Sequence, residues 1–232
     1  MTTSGTSVFD LDMADIFEEA FERCGVELRS GYHLRTARRS LELMMAEWAN
    51  RGVNLWTIEE GTIPLEKGVS QYAMPADTVD VVDHVVRTGA GANQSDVSIT
   101  RVGVKTYANI PNKEVLGRPT QFWFHRRSGK ETPSGTQYPI ITVWPVPDRD
   151  DFYTLVLWRL RRIQDAGDSS AVADIPFRFL PCLVAGLAYH LSRKLPGALE
   201  RSALLKADYE EQWQLAADED REKASLFIIP RG

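Results

Sequence analysis

The sequence predicts an α+β protein: a four-helix-type bundle built from N- and C-terminal helices, with an antiparallel β sandwich or barrel domain inserted between them. Three observations carry this. Helical periodicity of apolar residues is confined to the two ends of the chain. Between Ile58 and Ile163 the pattern changes to short β-type runs broken by turn residues. The length, 232 residues, suffices for one large domain or two small ones. The expected boundaries are 1–55 and 164–232 for the helical domain and 56–163 for the β domain.

At the N-terminus, "MTTSGTSV" has neither a basic stretch nor an apolar stretch, so it reads as a tail rather than a signal peptide. The first helix follows, with Ile16, Phe17, Ala20, Phe21 and Cys24 in one stripe, Asp12 as its N-cap and Gly25 as its stop. The second helix carries Leu34, Ala37, Leu41, Met44, Met45 and Trp48 on one face and closes at Gly52. A short link joins the two, which predicts an antiparallel pair. In the β region, "GTIPLEKGVSQYAMP" reads as a hairpin turning at Lys67-Gly68, followed by "VDVVDHVVRT", a Gly-rich loop and "DVSITRV". A polar linker with a short helical turn precedes "TQFWFHRR", "YPIITVWPVP" and "FYTLVLWRLRRI". Helix returns at Asp174, with Pro176 near a first turn and Pro181 delaying or kinking the regular helix. Leu195-Pro196-Gly197 ends it. The last helix spans about Leu199 to Ser225, with Leu204, Leu205, Tyr209, Trp213 and Ala216 as its apolar stripe and an acidic outer face.

The most apolar run, Phe179–Leu191, is shorter than the roughly 20 residues a membrane crossing needs and is bracketed by Arg178 and Arg193. It reads as a central helix, apolar all round, with Gly186, Ala185 and Ala188 allowing close approach of its neighbours. No membrane partner is expected.

Apolar residues make up 43% and charged residues 25%, the balance of a soluble folded protein, and the net charge of −5 gives no general attraction for nucleic acid or anionic lipid. Cys24 and Cys182 lie in apolar helical patterns and read as buried free thiols, which fits a reducing cytosol. His33, His84, His125 and His190 lack zinc-ligand spacing. No nucleophile elbow, phosphate loop or EF-hand spacing is present. No metal or cofactor is expected, and no enzyme. Two alternatives remain. Glu59 and Glu60 are a carboxylate pair of the kind a cell-wall hydrolase uses, although neighbours on a strand point to opposite faces. Arg126, Arg127, Arg159 and Arg161, with aromatics interleaved, could contact DNA or a protein partner. The apolar segment Leu226, Phe227, Ile228, Ile229 and Pro230 past the last helix has no obvious strand partner and calls for a cover.

Four stretches stand in a characteristic order: "LELMMAEWANRGVNLWTIEEG", "TLVLWRLRRIQDAGD", "DIPFRFLPCLVAGLAYHLSRKLP" and "LLKADYEEQWQLAADEDREKAS". Together they resemble the head-to-tail adaptor (connector) proteins of short-tailed bacteriophages, from about Asp12 to Pro230. The resemblance implies a structural virion protein, assembled in the host cytoplasm, that forms a dodecameric ring under the portal. It implies a helical domain facing the portal protein, a β domain facing the tail nozzle or tail tube, and genome DNA passing through the central channel. It also implies that no metal or cofactor is used, and in such a ring the apolar segment 226–230 is a natural tail for inserting between portal subunits.

Overall fold

The computed structural model describes residues 11–52, 55–89, 91–127, 131–132, 135–164 and 172–220, together with Gly5. The N-terminal tail and the segment Leu226–Pro230 lie outside the described residues. The protein is α+β. Its helices are α1 (Met13–Arg23), α2 (Gly31–Arg51), α3 (Val104–Ala108), α4 (Leu180–Ser192) and α5 (Ser202–Glu219). Its strands are β1 (Ile58–Leu65), β2 (Gln71–Ala73), β3 (Thr78–Thr88), β4 (Ser95–Ser98), β5 (Thr100–Arg101), β6 (Gln121–His125), β7 (Glu131–Thr132), β8 (Gly135–Thr136), β9 (Ile140–Trp144) and β10 (Tyr153–Arg161). The chain divides into two compact units, Met1–Trp56 with Ile163–Gly232, and Thr57–Arg162.

The first unit is helical. In α1, the Asp12 carboxylate accepts the Asp15 amide and Gly25 takes a left-handed φ of +74° just past the last turn, so both ends are closed by the residues its sequence supplies. Ile16, Phe17, Ala20, Phe21 and Cys24 are buried. Ser30 caps α2, and its buried face is Ala37, Leu41, Met44, Met45 and Trp48 with Thr36 and Ser40 beside them. Leu34 departs from the expected stripe and is exposed; at this end of α2 the His33 ring stacks on Phe21, 5.1 Å between centroids. Pro176 precedes a single 3-10 turn, Phe177–Phe179, and α4 proper begins at Leu180 with Pro181 in its first turn, where a missing N–H is harmless.

Helix α4 packs against α1, α2 and α5, and its residues Cys182–Ala188 are buried without a break. The expected pairing of α1 with α2 is corrected: both make their main contacts with α4 rather than with each other. The physical reason is that α4 offers apolar surface on every side, whereas α1 and α2 each offer one stripe. Gly186 permits the closest approach. A Cβ there would lie 2.5 Å from Met44 Sδ and 2.7 Å from Tyr209 Cε2. On α5, Leu205, Tyr209, Trp213 and Ala216 face inward, but Leu204 is 72% exposed. The buried positions follow 4–4–3 spacing, and Leu204 sits a residue, or about 100°, off that line.

An aromatic cluster closes this core. Trp48, Trp56 and Trp213 surround Phe179 at centroid distances of 5.7, 4.8 and 6.2 Å. Trp48 Nε1 donates to Tyr209 Oη at 2.8 Å, and Trp56 Nε1 donates to the Asp174 carbonyl at 3.1 Å. Both indole N–H groups therefore keep a partner, with the Trp48 ring fully buried and the Trp56 ring partly so.

The second unit holds two four-stranded sheets, ordered β1-β10-β3-β4 and β2-β9-β6-β5, and a β7-β8 ribbon. Leu65, Val86, Leu155 and Leu157 of the first sheet share one apolar cluster with Phe122, Phe124, Ile141 and Val143 of the second. Two expectations are corrected. The segment "GTIPLEKGVSQYAMP" is not a hairpin: β1 pairs with β10 along its whole length, while β2 pairs with β9 in the other sheet. The Glu66–Val69 turn, with Gly68 at φ +79°, is a corner between sheets, pinned where Gly68 N donates to the Pro147 carbonyl and Lys67 N to Asp150. The strands are also not all antiparallel, since β5 runs parallel to β6. Chain crossing at Ile99, which is buried between β4 and β5, delivers β5 to the second sheet in that direction.

Candidate interaction surfaces

The four arginines singled out in the sequence fall into two groups. Arg159 and Arg161 sit two residues apart on β10, on the same side of the sheet, where Glu59 of β1 lies opposite. One Glu59 oxygen accepts from Arg159 Nη2 and the other from Arg161 Nε, both at 2.6 Å. Arg159 also donates to Asp77 at 2.7 Å and to Thr78 at 3.1 Å. Both guanidinium groups are nearly buried, at 13% and 12% side-chain exposure. Their charge is satisfied within the unit. Arg126 is 63% exposed and ion-paired with Asp80, which also holds Arg101 at 2.7 Å; Arg127 is exposed.

This geometry also disposes of the carboxylate pair. Glu59 is clamped between two arginines, and Glu60 follows it on an extended strand, exposed and pointing to the other face. A glycosidase needs two carboxyls flanking one bond, and these two do not converge.

The aromatics around β6 split by strand alternation. Phe122 and Phe124 enter the core, while Trp123 and His125 lie on the outer face. There Tyr107 of α3, Trp123 and His125 form a three-ring stack with centroid distances of 5.3 and 4.9 Å, and Lys113 lies over Tyr107. From Arg101 to Arg127 the sequence carries six basic residues (Arg101, Lys105, Lys113, Arg118, Arg126, Arg127) against one acid, Glu114, within a chain of net charge −5.

The helical unit has the opposite character. A groove of about 660 Å³ opens beside α1 and the start of α4. Leu11, Leu180, Pro181 and Val184 give it apolar walls, and Asp15, Glu18, Glu19 and Glu22 of α1 line its rim. Arg23, the basic residue at the rim, is bound to Glu19 at 2.9 Å and Asp208 at 3.2 Å. The sequence shows four acids on one exposed helix face but not the groove, whose second wall comes from the far end of the chain.

The two cysteines are free and buried, and burial pushes the Cys24 thiol up to about 11 and the Cys182 thiol to about 12. Among the described residues no group of His, Cys, Asp or Glu is arranged to hold a metal ion. His33 stacks on Phe21, His84 contacts the Ile99 carbonyl at 2.8 Å, His125 stacks on Trp123, and His190 lies 3.4 Å from Glu47. No described helix is long and apolar enough to cross a membrane.

The stretches that give the sequence its characteristic order supply Trp48, Trp56, Phe179, Tyr209 and Trp213, which meet in the aromatic cluster of the helical unit. No curated protein matches the chain. The family model described as SU10 adaptor protein matches residues 19–227, from within α1 past the end of α5, including the described strands between them. The chain therefore belongs to the SU10 adaptor protein family, bacteriophage head-to-tail adaptors that are structural components of the virion.

Proposed function

We propose that the protein forms a ring, a dodecamer by family resemblance, between the portal and the tail, and that the genome passes through its channel. The observation that carries this is the family match along nearly the whole chain, across both units. In this reading α1, α2, α4 and α5 act as a bundle domain (1–55 and 164–232) facing the portal protein. The two sheets act as a β sandwich or barrel domain (56–163) facing the tail nozzle or tail tube. A ring needs two different faces on each subunit that close by rotation. Opposed charge supports such a pairing, with acids on α1 and basic residues from Arg101 to Arg127. Repetition around a ring lets individually weak contacts hold.

Docking at the portal is assigned to Leu226, Phe227, Ile228, Ile229 and Pro230, an apolar segment suited to strand addition or to side-chain pockets. Deletion of Leu226–Gly232 is expected to abolish binding to purified portal while circular dichroism stays unchanged. Normal binding by the deleted protein would sink the docking assignment. Class averages of the chain mixed with portal test the ring itself, which fails if no ring forms.

A second reading, contact with DNA in transit, is favoured by one observation: Arg126 and Arg127 are exposed within the basic stretch. Such binding must weaken steeply with salt, and absence of any mobility shift at low salt removes it.

A further inference from the structure

We propose that the groove between α1 and α4 is a binding site for a basic peptide with an apolar centre, and that in the unassembled protein it holds the chain's own segment 221–231. Its walls, Leu180, Pro181 and Val184, give apolar contact. At its rim, Glu19 and Arg23 satisfy each other, while Glu18 and Glu22 have no ion pair among the described residues. A ligand that fits must bury apolar side chains against α4 and bring positive charge to the rim along α1. The volume, about 660 Å³, is room for the few apolar side chains at the centre of such a ligand, with the rest of the peptide lying along the rim.

Segment 221–231 reads "REKASLFIIPR". Leu226–Ile229 are the apolar centre, and Arg221, Lys223 and Arg231 flank it against the single acid Glu222. The chain also delivers this segment to the right place. Asp220, the residue after α5, is buried and ion-paired with Arg178. Arg178 is two residues before Leu180, so the segment leaves the described fold beside the start of the groove. An extended chain covers about 3.3–3.6 Å per residue, so the six residues from Asp220 to Leu226 reach roughly 20 Å. Tethering at that range makes the local concentration of the segment on the order of millimolar, enough for a weak contact to persist. The site covers an apolar segment until assembly offers it another partner.

The test uses the full chain. Both native thiols are buried and poorly ionised, so Ser225→Cys supplies a single reactive position for a nitroxide spin label. Amide signals of residues 15–22, Leu180 and 182–184 are expected to be lost through relaxation by the label. They are expected to return in Glu18→Lys/Glu22→Lys, whose two sites are exposed, and in Ile228→Asp. Undiminished signals in the labelled protein overturn the proposal, as does loss that persists in both variants. An equimolar mixture of isotope-labelled protein without the nitroxide and unenriched protein carrying it is expected to show no loss. Loss there would place the segment in a second copy and overturn the assignment to its own chain. Portal binding is not read in this experiment, so its failure is separate from failure of the portal-docking assignment.

Discussion

The two units of this chain solve the same problem with different materials. The helical unit is gathered from both ends of the chain and is held by close apolar contact: α4 seated among three helices, Gly186 against Met44 and Tyr209, and four aromatic rings around one point. The buried hydrogen bond in that cluster from Trp48 to Tyr209 spans 161 residues of sequence. The β unit is one continuous stretch, and beside its apolar cluster it uses charge: Glu59, Asp77, Arg159 and Arg161 tie β1, the β2–β3 link and β10 together. Close packing is intolerant of volume change and indifferent to salt. Ion pairs tolerate shape change and are screened.

The largest expected effect breaks the helical side alone. Trp48→Ala removes a fully buried ring and the partner of Tyr209, and should cost about 3–5 kcal/mol. Hydrogen exchange should then rise across α1, α2, α4 and α5, while β3, β9 and β10 keep their protection. Equal loss in both units would show that they do not respond separately. Next, Gly186→Ala forces a methyl into space already held by Met44 and Tyr209, and should cost about 1–3 kcal/mol by thermal melting. A neutral result would mean that α4 can shift and that the helical core tolerates added volume.

On the β side, Arg159→Met should cost about 1 kcal/mol, because Glu59 and Asp77 are each nearly half exposed and are rehydrated when their partner goes. The difference from the parent protein should shrink in high salt; an unchanged difference would point to packing instead. The smallest effect concerns pH. Burial holds the His190 imidazole neutral and lowers its pKa below 6.5, with Glu47 opposing the shift. The unfolded chain binds this proton more readily, so the contribution to stability is full above pH 6.5 and is lost as pH falls from there through the folded value. His190→Gln should flatten that part of the stability–pH curve, and an identical slope in the variant would remove the assignment.

What was legible in the sequence followed the range of the interaction. The buried stripe of α1, its Asp12 cap and its Gly25 stop are all set within one helix, so periodicity and cap chemistry identify them. The buried thiols and the close approach at Gly186 were legible for the same reason, as small residues inside an apolar run. The hairpin assigned to residues 61–75 failed because a turn residue says that the chain bends, not which strand it meets next. Arg159 and Arg161 looked like ligands for an anion, since their partner Glu59 stands 100 residues before Arg159 in the chain. The groove was hidden for the same reason: its walls, α1 and α4, touch across more than 160 residues, as where the Cys24 thiol donates to the Ala188 carbonyl.

By itself the sequence determined where the main helices form, which residues they bury apart from Leu34 and Leu204, and which family the ordered motifs resemble, because these depend on neighbours three or four residues away or on order along the chain. Only the tertiary structure decided which strands share a sheet, which arginines are already satisfied, and where an acidic rim meets an apolar floor. Those outcomes depend on residues brought together from a hundred positions apart, and no local pattern encodes the partner.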